Sequence, residues 1–198
     1  MDMDKKIMMQ KNFKVILNAM SHPGQLYMLP YITTFFDTNN KNNSHRSLFS
    51  ILELLLDHEV SFCALNDQNK KLEKEIKMQT GAHVSDLNNA DFIIILSGCS
   101  NGLIQKAKRG PLEYPDKGST LIYLVKGLNN SDDAEVNIEL KGPGIKNKII
   151  LHIKGISEKE FFFIKKLNSE FPLGVDSIFA DFNGNVACIP RSTEIEVK

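Results

Sequence analysis

Apolar positions recur along the chain in two periods, and the alternation between them predicts its layers. Phe13, Ile16, Leu17 and Met20 fall at i, i+3, i+4 and i+7, one face of a helix that ends before Ser21-His22-Pro23-Gly24. Leu48, Ile51, Leu52, Leu55 and Leu56 repeat the spacing and predict a second helix, which runs into the short apolar segment Val60-Ser61-Phe62-Cys63-Ala64-Leu65. Asp91-Phe92-Ile93-Ile94-Ile95-Leu96 and Thr120-Leu121-Ile122-Tyr123-Leu124-Val125 are almost continuously apolar and rich in branched residues, which suits strands covered on both faces. Residues 136–140 and 149–153 alternate instead and flank Lys141-Gly142-Pro143-Gly144-Ile145, predicting an antiparallel hairpin with a wide glycine-rich connection. Ser157 and Glu160 have capping-box spacing, and Phe161, Ile164, Leu167 and Phe171 follow at near-helical intervals.

That last helix leads into Phe171-Pro172-Leu173-Gly174-Val175-Asp176, where Pro172 is expected to stop it and Gly174 to supply a sharp reversal. Val175, Ile178 and Phe179 then predict a strand, Asn183-Gly184 a tight hairpin, and the chain returns to Pro190-Arg191-Ser192-Thr193. Asp176 and Arg191 sit at opposite ends of this hairpin, which predicts that they are coupled across it. Helices alternating with apolar strands, plus hairpins toward the C-terminal half, predict an α/β fold: a three-layer mixed sheet covered by helices, in a single domain over 1–198 with no internal repeat. Residues 37–44, rich in Asn and Lys, have the composition of a mobile loop, and residues 97–118 read as turns around one short helix.

Composition narrows the function classes. The chain has 198 residues, 42% apolar and 24% charged, the profile of a soluble globular protein. Lys+Arg and Asp+Glu are equal at 24 each, so the basic surplus that marks nucleic-acid or anionic-membrane binding is missing. No secretory signal and no bilayer-length apolar run is visible, and Cys63, Cys99 and Cys188 are odd in number and far apart. A cytoplasmic location with buried, reduced thiols is the expectation. The five histidines show no metal-ligand spacing, and no metal is expected.

Chemical signals are sparse. Gly142-Pro143-Gly144 could present backbone amides to a phosphate, but Pro143 removes a donor, the Walker spacing is absent and an ordinary hairpin turn competes. No Gly-x-Gly-x-x-Gly and no nucleophile elbow occurs. The lysine excess from 139 to 166 reads as a solvated face or a surface for an acidic partner.

Taken in order, Ala19-Met20-Ser21-His22-Pro23-Gly24, Leu54-Leu55-Leu56-Asp57-His58-Glu59, Thr80-Gly81-Ala82, Ala90-Asp91-Phe92, Arg109-Gly110, Tyr114-Pro115-Asp116, Lys141-Gly142-Pro143-Gly144-Ile145, Phe171-Pro172-Leu173-Gly174-Val175-Asp176 and Pro190-Arg191-Ser192-Thr193 resemble the PhnH family of carbon-phosphorus lyase subunits over nearly the whole chain. Gln79 departs from a position where a histidine is usual. The resemblance implies a shortened pyridoxal-phosphate-dependent transferase fold that has lost its cofactor, in a cytoplasmic homodimer that joins PhnG, PhnI and PhnJ. It implies an assembly that displaces adenine from ATP with a phosphonate, giving ribose 1-methylphosphonate 5-triphosphate, with the chemistry placed on PhnI. The candidate functional or turn-organising residues are Arg109, Tyr114, Asp116, Gly142, Gly144, Asp176 and Arg191, with no catalytic residue assigned and no cofactor of its own expected. Two other readings stay open. One is a pyridoxal-phosphate transferase with Asp176 facing the ring nitrogen, for which no lysine context is visible; the other is a stand-alone phosphate or nucleotide binder at 142–145.

Overall fold

The computed structural model of the chain describes residues 3–33, 45–67, 70–129 and 134–198. The expected mobile loop at 37–44 lies outside the described residues. Among the described residues there are four α-helices, α1 (Met3–Ser21), α2 (Arg46–Leu55), α3 (Lys71–Thr80) and α4 (Glu158–Leu167), besides short 3-10 turns at Leu103–Lys106 and Pro115–Lys117. The first sheet contains β1 (Tyr27–Met28), β2 (Ser61–Leu65), β3 (His83–Val84), β4 (Phe92–Ile95), β5 (Thr120–Val125), β9 (Asp176–Asp181) and β10 (Asn185–Ile189), in the order β1-β10-β9-β5-β4-β2-β3. Its β3, β2, β4, β5 and β9 are parallel, and β10 and β1 add antiparallel at one edge. A second, antiparallel sheet has the order β11-β7-β8-β6, from β6 (Gly127–Asn129), β7 (Val136–Lys141), β8 (Ile149–Lys154) and β11 (Glu194–Val197).

Alternation along the central strands divides the core in two. Ile122 and Leu124 of β5 face α1, α2 and α3 together with Phe62, Ile94 and Ile178. Leu121, Tyr123 and Val125 point the other way, toward α4 and toward Ile138, Leu140, Leu151 and Ile153 of the second sheet. The mixed sheet with helices is therefore as expected, but one outer layer is mostly a sheet instead of helices. The cause is the two-residue period of β7 and β8, which supplies one apolar face to cover the core and one polar face to meet water.

Four local expectations are corrected. On α1 the buried stripe is Asn12, Ile16 and Ala19, while Phe13 and Leu17 are about half exposed, at 45% and 49%. Asn12 takes the inward position because its amide donates to the Tyr31 carbonyl at 2.7 Å and accepts from the Tyr31 amide at 3.1 Å, so a satisfied polar group occupies a place that periodicity assigns to an apolar one. The capping box at Ser157 and Glu160 does not form: Ser157 makes no side-chain cap bond, and Glu160 turns into the core. Nor does α4 run to Phe171, which lies beyond the helix end and is 65% exposed. The thiols also divide, with Cys188 buried and Cys63 and Cys99 only partly so.

Candidate functional site

Most of the residues picked out by the sequence gather at the rim where the parallel strands begin. Asp176 opens β9, and Arg191 follows the end of its antiparallel neighbour β10, so the hairpin register brings them side by side. Arg191 Nη2 donates to Asp176 Oδ2 at 2.5 Å and Nε reaches the same oxygen at 3.1 Å, a two-pronged contact that matches the planar fork of a guanidinium to a carboxylate. The Arg191 amide adds a third bond, to Asp176 Oδ1 at 2.8 Å. The coupling expected across the hairpin is present, with the two side chains 13% and 25% exposed.

The remaining Arg191 prong ties in a second loop. Nη1 donates to the Pro115 carbonyl, and the Gly174 amide donates to the Arg109 carbonyl at 3.0 Å, so the loop from Arg109 to Gly118 is held against the β9 entry. A Cβ on Gly118 would overlap the Gly174 carbonyl and come within 2.9 Å of Arg191 Nη1, which leaves room only for glycine. Arg109 turns its own guanidinium outward to Glu170 at 3.2 Å, an exposed pair. Tyr114 is 56% exposed with Lys117 Nζ 4.5 Å from its ring centre, and Asp116 is exposed beside it.

The turn into β9 is organised by Asn168, a residue that periodicity did not single out. α4 stops at Leu167, and the Asn168 side chain accepts from the Val175 amide at 2.8 Å and donates to the Val175 carbonyl at 3.1 Å. A Cβ on Gly174 would overlap the Asn168 amide oxygen, so Asn168 joins Gly174 in making the reversal expected of that glycine, while the helix has already ended at Leu167, ahead of the Pro172 expected to stop it. An asparagine directly after an apolar helical pattern is the signal that could have found it.

Gly142 and Gly144 have packing roles. A Cβ on Gly144 (φ 81°) would overlap the Ser21 carbonyl and lie 2.9 Å from Pro23 Cδ; one on Gly142 (φ 135°) would lie 3.0 Å from the Ser192 carbonyl. Gly24, in the turn that α1 ends on, meets Leu140 and Ile149 in the same way and donates to the Cys188 carbonyl at 3.1 Å. The glycine turn of the second sheet thus docks between the Ser21-His22-Pro23-Gly24 turn and the segment after Arg191. Within it the Ile145 amide is already bonded to the Gly142 carbonyl at 3.1 Å, which removes another donor from a phosphate cradle.

Farther along the rim, Asp91 accepts from the Ser61 amide at 2.8 Å, the Ser61 hydroxyl at 2.6 Å and Lys108 Nζ at 2.5 Å. Burial works to raise its carboxyl, but Lys108 and the two Ser61 donors outweigh burial and hold it below the usual range. Glu160, missed because its spacing matched a cap, is fully buried and accepts from the Ser100 amide and hydroxyl at 2.9 Å each and from the Tyr123 hydroxyl at 2.7 Å. The Tyr123 phenol is pushed well up, first by burial and then by the Glu160 carboxylate.

Beside the Arg191 clasp opens a groove of about 570 Å³, between β11 and the C-terminal end of α4. Pro143, Phe171, Ile195 and Thr193 line it, with Lys165 and Glu194 among its charged residues. Glu139 at its edge is held by Lys141 at 2.9 Å, Lys148 at 3.1 Å and Lys198 at 3.3 Å, and Lys141 foremost draws its carboxyl down to about 2. Among the described residues no cluster of His, Cys, Asp and Glu could hold a metal ion, and no helix is long and apolar enough to cross a membrane.

The family described as bacterial phosphonate metabolism protein (PhnH) matches residues 3–196. The chain belongs to that family. A relative from Rhizobium meliloti (strain 1021), the alpha-D-ribose 1-methylphosphonate 5-triphosphate synthase subunit PhnH, is 30% identical over 124 residues, which cover 62% of this chain and 60% of the relative. The aligned part thus spans well under two thirds of that relative's length. Several of the motifs that carry the PhnH resemblance interlock at this rim: the turn at Ser21 to Gly24, the glycines at 142 and 144, the Arg109 to Gly118 loop and the Asp176–Arg191 clasp.

Proposed function

We propose that this PhnH-family chain acts as a binding and structural subunit of a carbon-phosphorus lyase core complex, an alpha-D-ribose 1-methylphosphonate 5-triphosphate synthase. The complex transfers the ribose triphosphate of ATP to a phosphonate and releases adenine, with PhnG, PhnI and PhnJ as partner subunits and a cytoplasmic homodimer of this chain as its form. Carrying this reading, besides the family itself, is the way the motif residues are used. Asp176 and Arg191 satisfy one another and hold the Pro115 carbonyl, instead of aiming free groups into a cavity. Displacing adenine needs an acid for the departing base, charge stabilisation at the ribose carbon and a triphosphate cradle. The described residues offer pieces of that set only.

The same clasp argues for a chain without pyridoxal phosphate of its own. Asp176 is the carboxylate suited to a pyridinium nitrogen, and three Arg191 donors already engage it. To test the proposal, the isolated protein is incubated with Mg-ATP and methylphosphonate, adenine is sought by chromatography, and the assay is repeated with co-expressed PhnG, PhnI and PhnJ. Adenine is expected only from the co-expressed set, in which this chain co-purifies. Adenine release by the chain alone at the rate of the complex, or failure to co-purify with those subunits, would overturn it.

A further inference from the structure

α4 is buried along Glu160, Phe161, Ile164 and Leu167, and its opposite side faces water. On that side Lys159, Phe162 and Lys166 stand at i, i+3 and i+7, a spacing that puts them in one stripe along the helix. Phe162 is 54% exposed, and both lysines are exposed. The 3-10 turn Leu103–Lys106 lies alongside. A Cβ on Gly102, just before it, would lie 3.5 Å from Phe163 Cζ, and the preceding loop is tied to the start of α4 by the bonds of Ser100 to Glu160 and of the Ser157 amide to the Gly98 carbonyl. That turn adds Leu103, 42% exposed, and Lys106. Two large apolar side chains thus stand in water among three lysines.

Local stability does not ask for this arrangement. A cation in the first turn meets the positive end of the helix dipole, so Lys159 sits where a helix prefers an acid. None of Gly155, Ile156, Phe162 and Phe163, the residues three and four away from it, is acidic, and Lys106, Lys159 and Lys166 make no ion pair among the described residues. Residues 97–108 contain no acid, Glu170 is taken by Arg109 and Glu160 is buried, which leaves Glu158 as the exposed carboxylate of α4. Lys165 lines the groove with Glu194 and Glu196 and is not part of the stripe. Lys159 and Lys166 are separated by about 10 Å along the axis, two turns, with Phe162 between them. A half-exposed aromatic ring bracketed by unpaired cations is complementary to an apolar side chain bracketed by acids. Three lysines on a chain of zero net charge are few for a nucleic-acid backbone, where about six to ten phosphate contacts are usual.

We infer that the outer face of α4 is a docking ridge for an amphipathic helix of a partner polypeptide, with acidic side chains over Lys159 and Lys166 and an apolar one between them against Phe162. This inference rests on the subunit reading above and names a surface through which it acts. The probe is a blocked alanine-based helical peptide with two glutamates about two turns apart and a leucine between them on the same face. Its lysine-for-glutamate counterpart, and a version with the leucine on the face opposite the glutamates, are the controls. The protein variants are K159E/K166E and Phe162→Ala. The first reverses charge at both ends of α4, where the dipole effects are opposite in sign, so its urea midpoint should stay near that of the unsubstituted chain. By fluorescence anisotropy the glutamate peptide is expected to bind the unsubstituted chain, and Phe162→Ala about tenfold more weakly. K159E/K166E should reverse the preference and take the lysine peptide instead. No binding up to about 1 mM, no reversal of preference, equal binding of the split-face control, or capture of phosphatidylserine vesicles in place of the peptide would overturn it. In co-expression, K159E/K166E co-purifying with PhnG, PhnI and PhnJ as well as the unsubstituted chain does would sink the ridge assignment and leave the subunit reading standing. If the unsubstituted chain itself fails to co-purify, the subunit reading falls and this inference falls with it.

Discussion

Removing Arg191 should cost more than a surface ion pair and less than a fully buried one. Exposed pairs contribute up to about 1 kcal/mol, while breaking a buried pair by deleting one partner costs about 3–5 kcal/mol. Here the side chains are 13% and 25% exposed, and in Arg191→Ala the stranded Asp176 keeps the amide donor of residue 191 at 2.8 Å, which partly compensates it. The Pro115 carbonyl loses its guanidinium contact as well. A loss of about 2–3 kcal/mol follows, seen as a lower urea midpoint at unchanged slope. Asp176→Asn keeps an acceptor for that amide and should lose about 1–2 kcal/mol. The double variant should recover about 1.5 kcal/mol relative to additivity, because one deletion removes what the other left unpaired. Arg191→Lys should rescue less than half, since an ammonium has no fork to span Oδ1, Oδ2 and the Pro115 carbonyl. Amide exchange in the 109–118 loop should speed up in Arg191→Ala. Coupling below about 0.5 kcal/mol in the cycle would mean that the clasp holds nothing.

Gly144→Ala should destabilise by at least about 2 kcal/mol, because φ is +81° and the added carbon would overlap the Ser21 carbonyl; a midpoint within 0.5 kcal/mol of the unsubstituted chain, about the noise of a neutral surface change, would refute that docking. Glu160→Ala should cost about 3–5 kcal/mol by stranding the Ser100 amide and hydroxyl and the Tyr123 hydroxyl, and Glu160→Gln about 1–2 kcal/mol because one acceptor oxygen remains; equal losses would show that the carboxylate is not what those donors need. Lys141, Lys148 and Lys198 depress Glu139 from 4.5 to about 2, so its stabilisation is full above pH 4.5 and is lost as pH falls toward 2. Glu139→Gln should therefore flatten the acid limb of a stability–pH curve over that window, and parallel curves for the two proteins would count against the cluster.

The elements legible in the sequence were those with a single clear period. The strands at 92–95 and 120–125 and the hairpin of β7 and β8 stand where apolar runs and alternation placed them, because burial on two faces and on one face leave different patterns. α3 was missed because only Leu72 and Ile76 of its residues are buried, and the first turn is secured by Asp67, whose carboxylate accepts from the Leu72 and Glu73 amides at 3.1 Å and 2.8 Å. β11 was missed because a four-residue edge strand with alternating glutamates reads as tail, and its partner β7 lies more than fifty residues away in sequence. At the site, Asp176 and Arg191 were legible from turn chemistry and charge. Asn168 and Gly118 were not: what makes them necessary is which distant carbonyl or amide lies against them, and local spacing carries no trace of that.

Where the clasp lies bears on what kind of protein this is. In open parallel sheets small ligands bind beyond the carboxyl ends of the strands. In this chain that end is filled with main chain: a Cβ on Gly98 would overlap the Gly155 carbonyl, the Ser157 amide donates to the Gly98 carbonyl at 2.9 Å, and Asn66 ties down the Ser97 hydroxyl at 2.8 Å and the Cys99 carbonyl at 2.7 Å. Glu160 closes it from beneath through Ser100 and Tyr123. The family motifs instead sit at the opposite rim, where they lock four separate segments, and a groove of about 570 Å³ opens next to them. With main chain across that crevice, the motif residues are spent on locking this rim, which favours the subunit role proposed above over a small-molecule site.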